Sequence, residues 1–141
     1  DNSVISRTVD EAMELAIETT RRSFQLWAAL AQYRNFSLTF ALQPNAMWSR
    51  RVPSSQEALL FESLGDLDPS LDSLLRRLTH EGYDRYSESL SRLAADHDIR
   101  FVDLNRHMHS LSTQPENLYV DRVHYTSLGY RHIASALQSQ M

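Results

Sequence analysis

The chain is 141 residues long, with 14 basic and 18 acidic side chains, a formal net charge of -4 and a pI of about 5.8, a balance that offers no positive field to nucleic acid or anionic lipid. It has no cysteine, which excludes both a disulfide framework and a thiolate metal centre. Its apolar stretches carry a charge every few residues, well short of the roughly 20-residue run of a membrane span, and the length suits one domain or part of one.

Over residues 8–35, Val9, Met13, Ala16, Ile17, Phe24, Trp27 and Ala31 recur at helical period. Thr8 and Glu11 form a capping box at the start. An amphipathic helix is expected there, with Phe24 and Trp27 in the core. Residues 36–42 form a short aromatic and apolar run stopped by Gln43-Pro44-Asn45, the pattern of a buried strand entering a loop. Residues 47–55 have no period and read as a loop over the end of that strand. Trp48 is the candidate substrate-binding residue, its indole offering an apolar or sugar-stacking surface, while Arg50 and Arg51 can form a fork for a carboxylate or phosphate. The plainer alternative is a capped loop with solvated charges.

A brief helix is expected over 56–64, broken at Gly65-Asp66. Pro69 opens a longer one to about residue 97, interrupted at Gly82. Residues 99–104 form the second strand, with Asp103 ordering the loop that follows. Residues 105–117 read as a polar loop holding His107, His109 and Pro115. The last segment, 127–138, spaces Leu128, Ile133, Ala134 and Leu137 as an amphipathic helix able to pack on a sheet while it anchors the preceding turn.

That turn carries Asp121 and His124, three residues apart. A carboxylate that accepts from one ring nitrogen of a histidine fixes its tautomer and leaves the other nitrogen to take a nucleophile's proton. Taken alone, the pair also fits a surface Asp and His near a helix start. A metal site is a further alternative, with His107 and His109 sharing one face of an extended segment near Asp103, Asp121 and His124. Metal and general base would compete for His124.

The wider block Asp121-x-x-His124-x-Thr126-x-x-Gly129, followed by Ile133-Ala134, resembles the last conserved block of SGNH (GDSL-type) hydrolases. Residues 36–42 ending in Gln43-Pro44 resemble that family's fourth strand and Arg100-Phe101-Val102-Asp103-Leu104 its fifth, in the family's order. The resemblance implies an α/β fold, a three-layer α/β/α sandwich with a mostly parallel, flavodoxin-like sheet, of which residues 1–141 are the C-terminal part of a single domain. It implies a carboxylic ester hydrolase, an esterase or lipase working through an acyl-enzyme, with His124 as base and Asp121 as its orienting acid. No cofactor and no metal is required. The implied substrate is a small-molecule, lipid or acylated-sugar ester.

The family's Gly-Asp-Ser strand and Gly-x-Asn-Asp segment do not precede the fourth-strand match. The nucleophilic Ser is therefore expected outside this chain, in the N-terminal half of the same domain, which would also pair the sheet edge left open here. Ser3 is the alternative nucleophile, although no apolar strand leads into it. A second function fits the same residues: a non-catalytic SGNH-like binding or assembly module that keeps the turn because it packs the last helix. Gln43 is expected to be structural.

Overall fold

Five bounded helices and two short strands are resolved in a computed structural model that describes residues 9–67, 69, 73, 82–111 and 116–140. In chain order they are α1 (Val9–Arg34), β1 (Thr39–Leu42), α2 (Ser55–Leu67), α3 (Tyr83–Asp96), β2 (Arg100–Asp103), α4 (Leu104–Ser110) and α5 (Ser127–Gln138). The two strands pair in a small parallel sheet, so the chain is mixed α/β. The residues fall into two compact units, one drawn from 1–40 and 80–101, the other from 41–79 and 102–141.

In the first unit α1 packs on α3. Helix α3 buries Tyr83, Ser87, Leu90 and Ala94 at i, i+4, i+7 and i+11, one continuous stripe. Helix α1 answers with Met13, Phe24, Ala28 and Ala31. Trp27, expected in the core, is 55% exposed. The stripe runs through Phe24, Ala28 and Ala31, whose two alanines offer small side chains to the buried face, and the bulky indole falls on its flank. Of the Thr8–Glu11 capping box, Thr8 lies outside the described residues, as does Ser3. Exposed ion pairs from Arg85 to Asp10 (3.0 Å) and Glu14 (3.5 Å) add little.

Both helices of this unit end in the same way. At α1, the amides of Asn35 and Phe36 donate to the carbonyls of Gln32 and Ala31; at α3, those of Asp98 and Ile99 donate to Ala95 and Ala94. These are two Schellman caps, with Asn35 (φ 53°) and Asp98 (φ 55°) in the left-handed position that glycine ordinarily fills. Each cap leads toward a strand, β2 beginning two residues after Asp98 and β1 four residues after Asn35. The strand after the first is shorter than the 36–42 run: Phe36 is exposed, β1 starts at Thr39, and within it only Leu42 is fully buried. Phe24 meets Phe40 edge-on at 4.9 Å between ring centroids.

The second unit is built on Met108, Leu118, Tyr119 and Tyr125, with Ala46, Phe61, Leu111, Leu128 and Ile133 packed around them. Two expectations change here. Helix α2 runs through Gly65 to Leu67 instead of breaking there. Of the long helix expected from Pro69, residues 70–72 and 74–81 lie outside the described residues; Gly82, the expected interruption, stands at the N-cap of α3 in the first unit.

The polar loop expected over 105–117 is helical as far as Ser110, because Asp103 caps it by accepting from the Asn105 amide (3.0 Å) and Leu104 and Met108 bury one face. Pro115 lies outside the described residues. Helix α5 keeps the expected bounds and packs on α4. Among the described residues no helix is long and apolar enough to cross a membrane.

Candidate active site

Residues 118–126 form a tight hairpin whose tip carries the pair. Tyr119 and Tyr125 face each other as an antiparallel bridge, Thr126 N donates to Leu118 O (3.0 Å), and Val120 N donates to His124 O (3.0 Å). Within the tip, Asp121 Oδ1 accepts from the amides of Val123 and His124, both at 2.8 Å. This local turn is what a short acidic side chain makes readily. It leaves Oδ2 for His124 Nδ1, at 2.7 Å.

Burial pushes the Asp121 carboxyl up, but the Val123 amide and the His124 ring and amide outweigh it and hold the group below its ordinary value of 3.8. An ionised carboxylate can only accept, so Nδ1 carries the proton, and in the neutral ring the lone pair is left on Nε2. The His124 side chain is 67% exposed, and Asp121 is half-buried behind it. Held in this way and open to solvent, the imidazole has the geometry that a general base requires.

The rest of the block has structural duties that explain its spacing. Thr126 caps α5, its Oγ1 accepting from Gly129 N (3.1 Å) and donating to Asn117 O (2.8 Å). At Gly129 an added Cβ would lie 2.3 Å from the Leu118 carbonyl oxygen and 2.9 Å from Tyr125 Cβ. Only glycine lets the first turn of α5 approach the hairpin this closely.

The loop after β1 is stitched to the hairpin. Gln43 Nε2 donates to Val123 O (3.1 Å), Ala46 N to Arg122 O (2.8 Å) and the Tyr125 hydroxyl to Pro44 O. Gln43 therefore buttresses the Asp121/His124 turn from outside it. Asn105, fully buried, ties this loop to the end of β2: Oδ1 accepts from Asn45 N (2.8 Å), and Nδ2 donates to Gln43 O and Asp103 Oδ1, both at 3.2 Å. Asp103 thus orders a helix start, not a loop.

No family model and no curated protein matches this chain.

Trp48, the candidate substrate contact, is half-buried in the turn over 45–49, its amide donating to Asn45 O (2.9 Å). That turn reaches the pair through the Ala46 to Arg122 hydrogen bond. Beside it a mostly apolar cleft of about 360 Å³ is bounded by Ala46, Met47, Val52, Pro53 and Phe61 together with Arg50 and Arg51. Arg51, expected in a solvated or ligand-facing fork, is instead 6% exposed and pairs with Glu57.

His107 and His109 do not share a face, because the segment is helical and residues two apart diverge. The His109 ring donates from Nδ1 to Ser49 O (3.1 Å), while half-buried His107 lies beside His132 of α5. Among the described residues no three His, Cys, Asp or Glu side chains are grouped to hold a metal.

Glu57 was not a candidate on sequence, yet it is fully buried next to the site's framework. Its signal was present: Ser54-Ser55-Gln56-Glu57 is a capping box. Ser54 Oγ accepts from Glu57 N (3.1 Å), and Glu57 Oε2 accepts from Ser54 N (2.7 Å). Helix α4 had a signal too, since Leu104, Met108 and Leu111 stand at i, i+4 and i+7.

Proposed function

We propose that this chain supplies the base and orienting acid of a Ser-dependent carboxylic ester hydrolase. The observation that carries the reading is the 2.7 Å contact between His124 Nδ1 and an Asp121 carboxylate whose other oxygen is already held by two backbone amides. In this reading a Ser hydroxyl from outside these residues attacks the ester carbonyl carbon, and its proton passes to His124 Nε2. The tetrahedral intermediate expels the alcohol, which takes that proton, leaving an acyl-serine. Water then attacks the acyl carbon, losing its proton to His124, which returns it to the departing serine. Asp121 stays ionised throughout and stabilises the imidazolium. The cleft beside the 45–49 turn, apolar except for Arg50 and Arg51, suits an apolar acyl or alcohol group on the ester. The finer architecture that goes with this reading is the C-terminal part of an SGNH-type three-layer domain.

A fluorophosphonate probe on the full-length protein tests the reading, because covalent labelling demands an activated nucleophile. The expected result is a serine adduct in the native protein and its loss in His124→Ala. A folded native protein that stays unlabelled would favour the non-catalytic module, in which the same hairpin serves only to seat α5.

A further inference from the structure

Glu57 does more than a helix cap requires. In an ordinary capping box the glutamate uses one oxygen at an exposed helix start. Here the side chain has no exposed surface. Oε2 takes the cap's Ser54 amide and the Arg51 guanidinium, which also lies over the Tyr119 ring at 5.9 Å. Oε1 reaches a segment more than sixty residues away and accepts from the amides of Leu118 (2.7 Å) and Tyr119 (2.9 Å).

Those two residues are one arm of the hairpin. Leu118 and Tyr119 pair with Thr126 and Tyr125, directly beyond His124. Burial pushes the Glu57 carboxyl up, and the Ser54, Tyr119 and Leu118 amides with Arg51 more than reverse it, so a charge is maintained inside the fold. Burying a carboxylate and an arginine is costly, and a helix cap does not by itself compensate for it.

We infer that Glu57 is a positioning residue for His124: through Oε1 it fixes the 118–119 arm of the hairpin and with it the register of the Asp121/His124 tip. The inference rests on the proposed role of His124 for its kinetic consequence, but not for its structural one.

Glu57→Gln separates this role from capping. Glutamine serves a capping box as well as glutamate does, and its single oxygen is drawn to the Ser54 amide and Arg51. The NH2 group is then turned against the Leu118 and Tyr119 amides, donor against donor. The readout is the His124 tautomer, by 15N NMR of the imidazole in the full-length protein, alongside kcat and KM for a p-nitrophenyl ester.

The native protein is expected to hold His124 as the Nδ1–H tautomer. Folded Glu57→Gln is expected to shift it toward Nε2–H and to lower kcat about 10- to 100-fold with KM nearly unchanged. Should Glu57→Gln fail to fold, Arg51→Met with Glu57→Leu removes both charges together and is expected to show the same tautomer shift. A folded variant of either kind with the native tautomer overturns the inference. If the native protein turns over no ester while the tautomer still responds, the positioning role stands and the esterase reading falls.

Discussion

Asp121 has two tasks that one carboxylate can perform only because its oxygens are divided between them. Oδ1 closes the turn on two amides and Oδ2 holds the imidazole. Asp121→Asn keeps the size but forces a choice, since the amide can satisfy the turn with its oxygen and then offers only a donor to Nδ1. His124 would answer in the opposite tautomer, with its proton on Nε2, where it cannot accept from a serine. A loss of about 10⁴-fold in kcat is expected in steady-state ester hydrolysis, with little change in thermal stability. The pair was legible in the sequence because three residues of spacing fit one tight turn. Glu57 was not, because its importance lies in Oε1 contacts to residues 118 and 119 that only the tertiary fold supplies.

At the scale of elements, the hairpin and α5 behave as one piece. Gly129→Ala would drive a methyl group against the Leu118 carbonyl, a backbone atom that cannot rotate away. A destabilisation of about 1–3 kcal/mol in urea unfolding is expected, together with displacement of the hairpin tip. The helix ends of the first unit give the opposite sign. Asp98 takes a left-handed backbone and places a negative charge at the C-terminus of α3, two unfavourable features, so Asp98→Gly is expected to raise stability by about 1 kcal/mol in the same assay.

Sequence periodicity located α1, α2, α3 and α5 but misjudged what the polar residues of α4 were doing. His107, His109 and Asn105 looked like loop residues; Asn105 is instead wholly buried, its side chain tying the ends of both strands together. Trp27 was misplaced for the converse reason, since helical period alone cannot tell the buried stripe from its flank.

For the molecule as a whole, acid should act in two steps, both on the second unit. His107 is held below the ordinary 6.5, chiefly by burial and then by the neighbouring His132, against a weaker opposing hydrogen bond at His132. A depressed histidine binds its proton more readily unfolded, so its contribution is complete above about pH 6.5 and declines as the pH falls below it. Asp121 and Glu57 are also depressed, and their contributions are complete above their ordinary values of 3.8 and 4.5 and are lost as the pH falls through the folded-state values. Urea midpoints measured from pH 7.5 to 3 should therefore decline first below about 6.5 and again below about 4.5. His107→Leu is expected to remove the first decline and leave the second.

The fold class was readable as mixed α/β from a helix feeding a short strand twice, at residues 9–42 and 83–103. The number of layers was not, because two strands do not determine how a sheet continues.

In the proposed mechanism His124, oriented by Asp121, is the base in ester hydrolysis. Turnover of a short-chain p-nitrophenyl ester by the full-length protein, native against His124→Ala, tests it most directly. A fall in kcat of at least about 10⁴-fold is expected in a variant that still folds; an unchanged rate would contradict the assignment of His124 as the base.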